Sequence, residues 1–132
     1  MQILIILALS LHVLAAIFWM ATTGMLARAG GMGAETLFPR QIIAVVLVVL
    51  TGGYLWSQLH TGGFGTYEKV LAAGAACAIL AAGIQSIGVG VSLRALKGDQ
   101  GAGARKRIAA IHRIAAPLLG ICLLCMVLAR YI

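Results

Sequence analysis

The residues in this chain with chemistry to offer are few: three histidines, three cysteines and three carboxylates in 132 residues. His12 is the only ionisable side chain in an apolar run from Ile3 to Ala27. Such a group is costly in hydrocarbon and marks a site by default. At helical spacing it shares a face with Ala15, Ala16, Trp19 and Thr23, which sets two small residues and one large aromatic beside the imidazole. That face can receive a flat ligand or another helix. His112 repeats the pattern, preceding Ala115 and Ala116 as His12 precedes Ala15 and Ala16. His60 stands in a glycine-rich turn. The thiols offer less. Cys122 and Cys125 share a helical face, but no second pair exists to close a zinc or iron–sulfur site, and buried cysteine usually behaves as a small hydrophobe. Met20, Met25 and Met32 are soft ligands suited to Cu(I), yet the three do not share one face.

The carboxylates define what is excluded. Glu35, Glu68 and Asp99 all fall at or beyond the edges of the apolar runs. No acid is therefore placed to carry protons or bind a cationic drug within a membrane, and no carboxylate pair or nucleophile–base set is present for hydrolysis. Redox chemistry on a borrowed cofactor remains for an enzyme.

The elements that must position these groups follow from composition. With 62% hydrophobic residues, 10% charged residues and a mean hydropathy of +1.06, the chain reads as one all-α integral membrane domain, a four-helix bundle. Spans are expected at about 3–27, 41–59, 67–96 and 108–129. The first is too long, and lacks the basic start, for a cleavable signal. Gly30, Gly31 and Gly33 end it. Pro117 is expected to bend the fourth near His112. Eight cations flank the first and third turns, and only Lys69 and Arg130 lie opposite. That asymmetry places both large turns in the cytoplasm and both termini outside. It accounts for the net charge of +7 without nucleic acid, and the 97–107 run is suited to anionic headgroups. In span three, Gly74, Ala78, Ala82, Ser86 and Gly90 form a small-residue ridge for close helix contact, within the bundle or in a homo-oligomer. Gln85 and Ser86 are expected to make interhelical hydrogen bonds.

Depth limits cooperation among the histidines. At 1.5 Å per residue, His12 lies roughly 15 Å below the outer edge, His112 roughly 25–27 Å and His60 within about 5 Å. No two are level, so a bis-histidine haem needs tilt or a kink to close roughly 10 Å. His12 with His60 is the easier pair to bring together.

The run His12-x6-Trp19-Met20-Ala21-x2-Gly24-x3-Arg28, then Gly53-Tyr54-Leu55-Trp56, then a short turn into Lys69, covers about half the chain. It resembles the superfamily of HemJ-type protoporphyrinogen oxidases and CopD-type copper resistance proteins. The resemblance implies that His12 ligates haem b and that Lys69 is needed for activity. Where the family has a histidine two residues before that lysine, this chain has Tyr67. The second ligand would then be His60 or His112, or the iron would be five-coordinate. The leading expectation is a multi-pass protein of the bacterial inner (plasma) membrane holding one b-type haem through His12. Trp19 would lie against the porphyrin, Lys69 and Tyr67 would anchor a propionate, and a quinone or porphyrin would be the partner. The alternatives are a CopD-like copper protein, with His12, His60 and His112 as the metal-ligand candidates, and a structural subunit of a larger complex.

Overall fold

The computed structural model describes residues 1–60, 62–96 and 101–132; Lys97 and Asp99 lie outside the described residues. Four α-helices follow one another: α1 (Gln2–Arg28), α2 (Ala34–Leu59), α3 (Thr66–Leu96) and α4 (Gly101–Ala129). Each is long and apolar enough to cross a bilayer, and in hydrocarbon only a helix or closed barrel satisfies its own backbone. The architecture is that of a multi-pass membrane protein. Its side chains are sorted accordingly. Ile3, Leu14, Ile43, Leu50, Ile87 and Leu124 point outward, while the interior is largely alanine, threonine, glutamine and histidine. Without a hydrophobic drive between helices in lipid, association rests on close packing and interhelical hydrogen bonds.

Helix α1 packs on α2 and α4, α3 packs most extensively on α4, and the α2–α3 contact is the lightest of these. The buried face of α1 is His12, Ala15, Trp19, Thr22, Thr23 and Leu26, a stripe at three- and four-residue spacing. One apolar cluster joins Ala15, Trp19, Ala44, Val48, Ala81, Ala115 and Leu119; a second joins Leu26, Ala34, Val89 and Ile108. Both lie in the middle and at the arginine-rich end of the bundle. Toward the opposite end packing thins, with no buried residue from Gln2 to Leu11 or from Thr66 to Ala73.

Helices α2 and α4 begin earlier than the expected Gln41 and Ile108. Gly30, Gly31 and Gly33 take positive φ of 65°, 83° and 86°, so the chain reverses within the turn and becomes helical again at Ala34. Pro39 therefore lies inside α2. The Gly101–Arg107 stretch is helical because alanine, arginine and lysine are strong helix formers and because Arg105 is tied down. It donates to the Gly31 carbonyl at 2.9 Å and pairs with the Glu35 carboxylate. Arg113 donates to the Ala27 carbonyl at 3.3 Å, near the open C-terminus of α1.

The small-residue ridge of α3 is a helix contact only in part. A Cβ on Gly74 would stand 2.9 Å from Cys125 Cβ and 3.2 Å from the Cys122 carbonyl, so α3 and α4 meet there backbone to backbone. Ala78 and Ala82 pack at the edge of the central cluster. Farther along, Ala81, Gln85, Val89 and Ser92 form the buried face, and Ser86 points outward.

Candidate functional site at the His12 end of the bundle

The three histidines are strung along α2 at separate levels. His112 meets α2 at Gln41, His12 meets it at Val48 and Thr51, and His60 follows its last residue. At 1.5 Å per residue, roughly 10–15 Å separates the first two levels and roughly 13–18 Å separates the His12 level from His60. The structure brings no two of them together, in agreement with the depths read from the sequence. Among the described residues, no three His, Cys, Asp or Glu side chains gather to hold a metal ion.

His12 is buried, with Nδ1 3.1 Å from the Val48 carbonyl and 3.0 Å from Thr51 Oγ1. The Thr51 hydroxyl spends its own proton on the Leu47 carbonyl at 2.5 Å. Both neighbours of Nδ1 are therefore acceptors, and Nδ1 must carry the proton. In the neutral ring, Nε2 then presents a bare lone pair, and no hydrogen bond among the described residues reaches it. Gly52 makes room for this arrangement, since a Cβ there would stand 3.1 Å from His12 Cε1. Toward the N-terminus from His12, α1 buries no further side chain, although Leu55 of α2 and Ala129 of α4 remain buried. An apolar groove of about 380 Å³ runs beside this stretch of α1, walled by Leu4, Leu7 and Leu11 of α1 and Leu50, Thr51 and Tyr54 of α2.

His60 is held differently. Its ring stacks on Trp56 at 4.6 Å and on Tyr67 at 5.2 Å, with Phe64 tilted against Trp56 at 6.4 Å. Both ring nitrogens are buried without a partner among the described residues. Leaving such groups unsatisfied costs about 1–3 kcal/mol each, so the stack holds an imidazole that lacks a companion. Glu68 positions the nearby start of α3. Its carboxylate accepts from the Gly65 N–H at 2.9 Å, one half of a capping box, and this fixes the turn that presents Tyr67 and Lys69, both exposed.

His112 and Trp19 belong to a buried polar network joining all four helices. Trp19 Nε1 donates to Gln85 Oε1 at 2.6 Å, and Gln85 Nε2 donates to Thr23 Oγ1 at 2.9 Å. On the other side, Gln41 Nε2 donates to Thr22 Oγ1 at 2.8 Å while Gln41 Oε1 lies 3.3 Å from His112 Nε2. His112 Nδ1 donates to the Ile108 carbonyl at 2.8 Å. A ring donating from both nitrogens is charged; for a neutral ring the Gln41 amide turns over, its NH2 donating to Nε2 and the Thr22 hydroxyl turning from the Phe18 carbonyl to Gln41 Oε1. Both His112 nitrogens are thus engaged, and the Trp19 indole, 2% exposed, is committed to Gln85. Gln41 and Thr22 escaped notice in the sequence. Only the coincidence of their depths could have flagged them.

Compared with protein-family models, with curated proteins and with solved structures, the chain matches none of them.

Proposed function

We propose that this chain is a redox protein of the bacterial inner membrane that holds one b-type haem at the His12 end of its bundle. Its chemistry would be electron transfer or oxidation of a porphyrinogen-like substrate. The observation that carries the reading is the His12 hydrogen bond to Val48. A metal-ligating histidine characteristically donates its other ring N–H to a carbonyl or carboxylate, which fixes the tautomer and aims the bare nitrogen. His12 has that arrangement, and no hydrogen bond among the described residues reaches its Nε2.

The donor set suits a haem better than a bare ion. A porphyrin supplies four nitrogens, so one protein imidazole suffices, whereas a copper ion would need several protein ligands and no such cluster forms among the described residues. His60 lies too far along α2 to be brought beside His12, so His12 alone would hold the group. The exposed Tyr67 and Lys69 instead offer donors for propionates at the rim.

When bound, the haem would supply one-electron chemistry. The remaining work falls to the chain. Val48 and Thr51 hold the imidazole in one tautomer, and Gly52 leaves space for its ring. The groove from Leu4 to Tyr54 borders Thr51 and not His12 itself, and would seat a lipid-soluble quinone or porphyrin beside the site. Both termini would lie outside, because seven of the described cations crowd the opposite end and only Lys69 and Arg130 share theirs.

An absorbance spectrum of the purified protein tests the proposal. A Soret band is expected, lost or strongly shifted in His12→Ala and retained in His112→Ala. A haem that survives His12→Ala, or no Soret band in protein grown with ample haem, would overturn it.

A further inference from the structure

A second groove lies at the opposite end of the molecule, where α1 turns into α2. It has a volume of about 320 Å³ and is walled by Met25, Leu26, Met32 and Leu37, with Arg28 and Ala29 at its rim. Leu26 is fully buried, so it closes the inner wall, while Met25 and Met32 are largely exposed. These side chains come from the end of α1, the glycine turn and the first turns of α2. The groove is thus apolar and open to the side, with a guanidinium at the end where the helices leave hydrocarbon.

We propose that this corner binds one anionic phospholipid, an acyl chain lying in the groove and the phosphate on Arg28. Charge complementarity selects that occupant. The end of the bundle that holds the groove carries Arg28, Arg40, Arg94, Arg105, Lys106, Arg107 and Arg113, and among the described residues Glu35 is its only acid. Glu35 is already engaged by Arg105. Arg28 has no carboxylate partner among the described residues, and a guanidinium meets a phosphate through two parallel hydrogen bonds. Basic pockets between spanning helices recognise lipid headgroups by this chemistry. A second copy of the chain fits less well. A two-fold contact sets the same patch against itself, which here would bring two Arg28 side chains and their cationic surroundings together. The site is independent of any cofactor at the His12 end.

The full chain purified in detergent provides the test, titrated separately with phosphatidylglycerol, phosphatidylcholine and inorganic phosphate. A ligand that binds only the folded state raises the unfolding midpoint with the logarithm of its concentration. Phosphatidylglycerol is expected to raise it and to be retained in native mass spectra, with phosphatidylcholine and inorganic phosphate giving little or no rise. Arg28→Gln should abolish the preference for phosphatidylglycerol. Leu37→Trp, which fills the groove and leaves Arg28 in place, should weaken retention of the lipid as well. Equal effects of the two lipids, an effect reproduced by phosphate alone, a preference that persists in Arg28→Gln, or a dimer whose crosslinks run through Met32 would each overturn the assignment. Should Arg28→Gln fail to fold, Leu37→Trp and the wild-type comparison of the two lipids decide the matter.

Discussion

The indole N–H of Trp19 and the side-chain oxygen of Gln85 lie 2.6 Å apart in the centre of the bundle, and the bond fixes more than their distance. An indole can only donate, so the Gln85 amide has one allowed orientation. Its NH2 must point to Thr23, whose hydroxyl returns its proton to the Trp19 carbonyl at 2.8 Å. Three residues on two helices that do not neighbour one another in sequence thereby close a ring of hydrogen bonds without using water.

Breaking that ring should be measurable. Gln85→Leu leaves the Trp19 N–H without its acceptor and Thr23 with only the longer 3.5 Å bond from Gln41 Nε2, and interhelical hydrogen bonds in membranes contribute about 0.6 kcal/mol on average and about 1.7 at most. A lower unfolding midpoint in detergent is expected, near the upper end of that range because two bonds go. Ser86→Leu, one residue away on the outward face, should leave the midpoint unchanged. Equal losses in both variants would mean that α3 is rotated from the placement described.

Gly52 and Gly53 separate packing at His12 from packing elsewhere. A Cβ at Gly52 would stand 3.1 Å from the His12 ring, and one at Gly53 would meet nothing within 4 Å. Gly52→Val should therefore displace the imidazole and diminish or shift a Soret band, with Gly53→Val close to wild type. His12→Gly with added imidazole should restore part of the absorbance. Indistinguishable spectra for the two valine variants would remove Gly52 from the site.

Along the α3–α4 seam, two glycines differ in what they face. At Gly74 a Cβ meets the Cys125 Cβ at 2.9 Å and the Cys122 carbonyl at 3.2 Å; at Gly88 it meets the flexible tip of Ile111 at 2.6 Å. A side-chain tip can swing aside and a backbone cannot. Gly74→Ala should cost about 1–3 kcal/mol as overpacking, Gly88→Ala clearly less, both read from thermal unfolding in detergent. The reverse order would show that the seam is looser at Gly74 than its geometry implies.

Orientation in the membrane can be read with reporters. A fusion after Ile132 whose reporter is active only outside the cytoplasm should be active, and one inserted in the Gly30–Gly33 turn should be silent. Activity reversed between the two sites would invert the charge argument.

Much of this molecule was legible from residue order alone, because a bilayer leaves the chain few choices. Four apolar runs had to become helices once every backbone group needed an internal partner. The face of α1 that carries His12, Ala15 and Trp19 followed from its 3.6-residue period, and so did the separation in depth of the three histidines. Tertiary structure decided the rest. Helix α3 is so rich in alanine and glycine that several of its faces offer small residues. The four-residue spacing pointed to the ridge through Ser86, but the face through Gln85 is the buried one because it reaches Trp19 and Thr23. The partners of Gln41 are set by neighbouring helices, and no spacing within a single helix encodes them. The same holds for His12. Its type and depth are written in the sequence, but which nitrogen carries the proton depends on the Val48 carbonyl, thirty-six residues away along the chain.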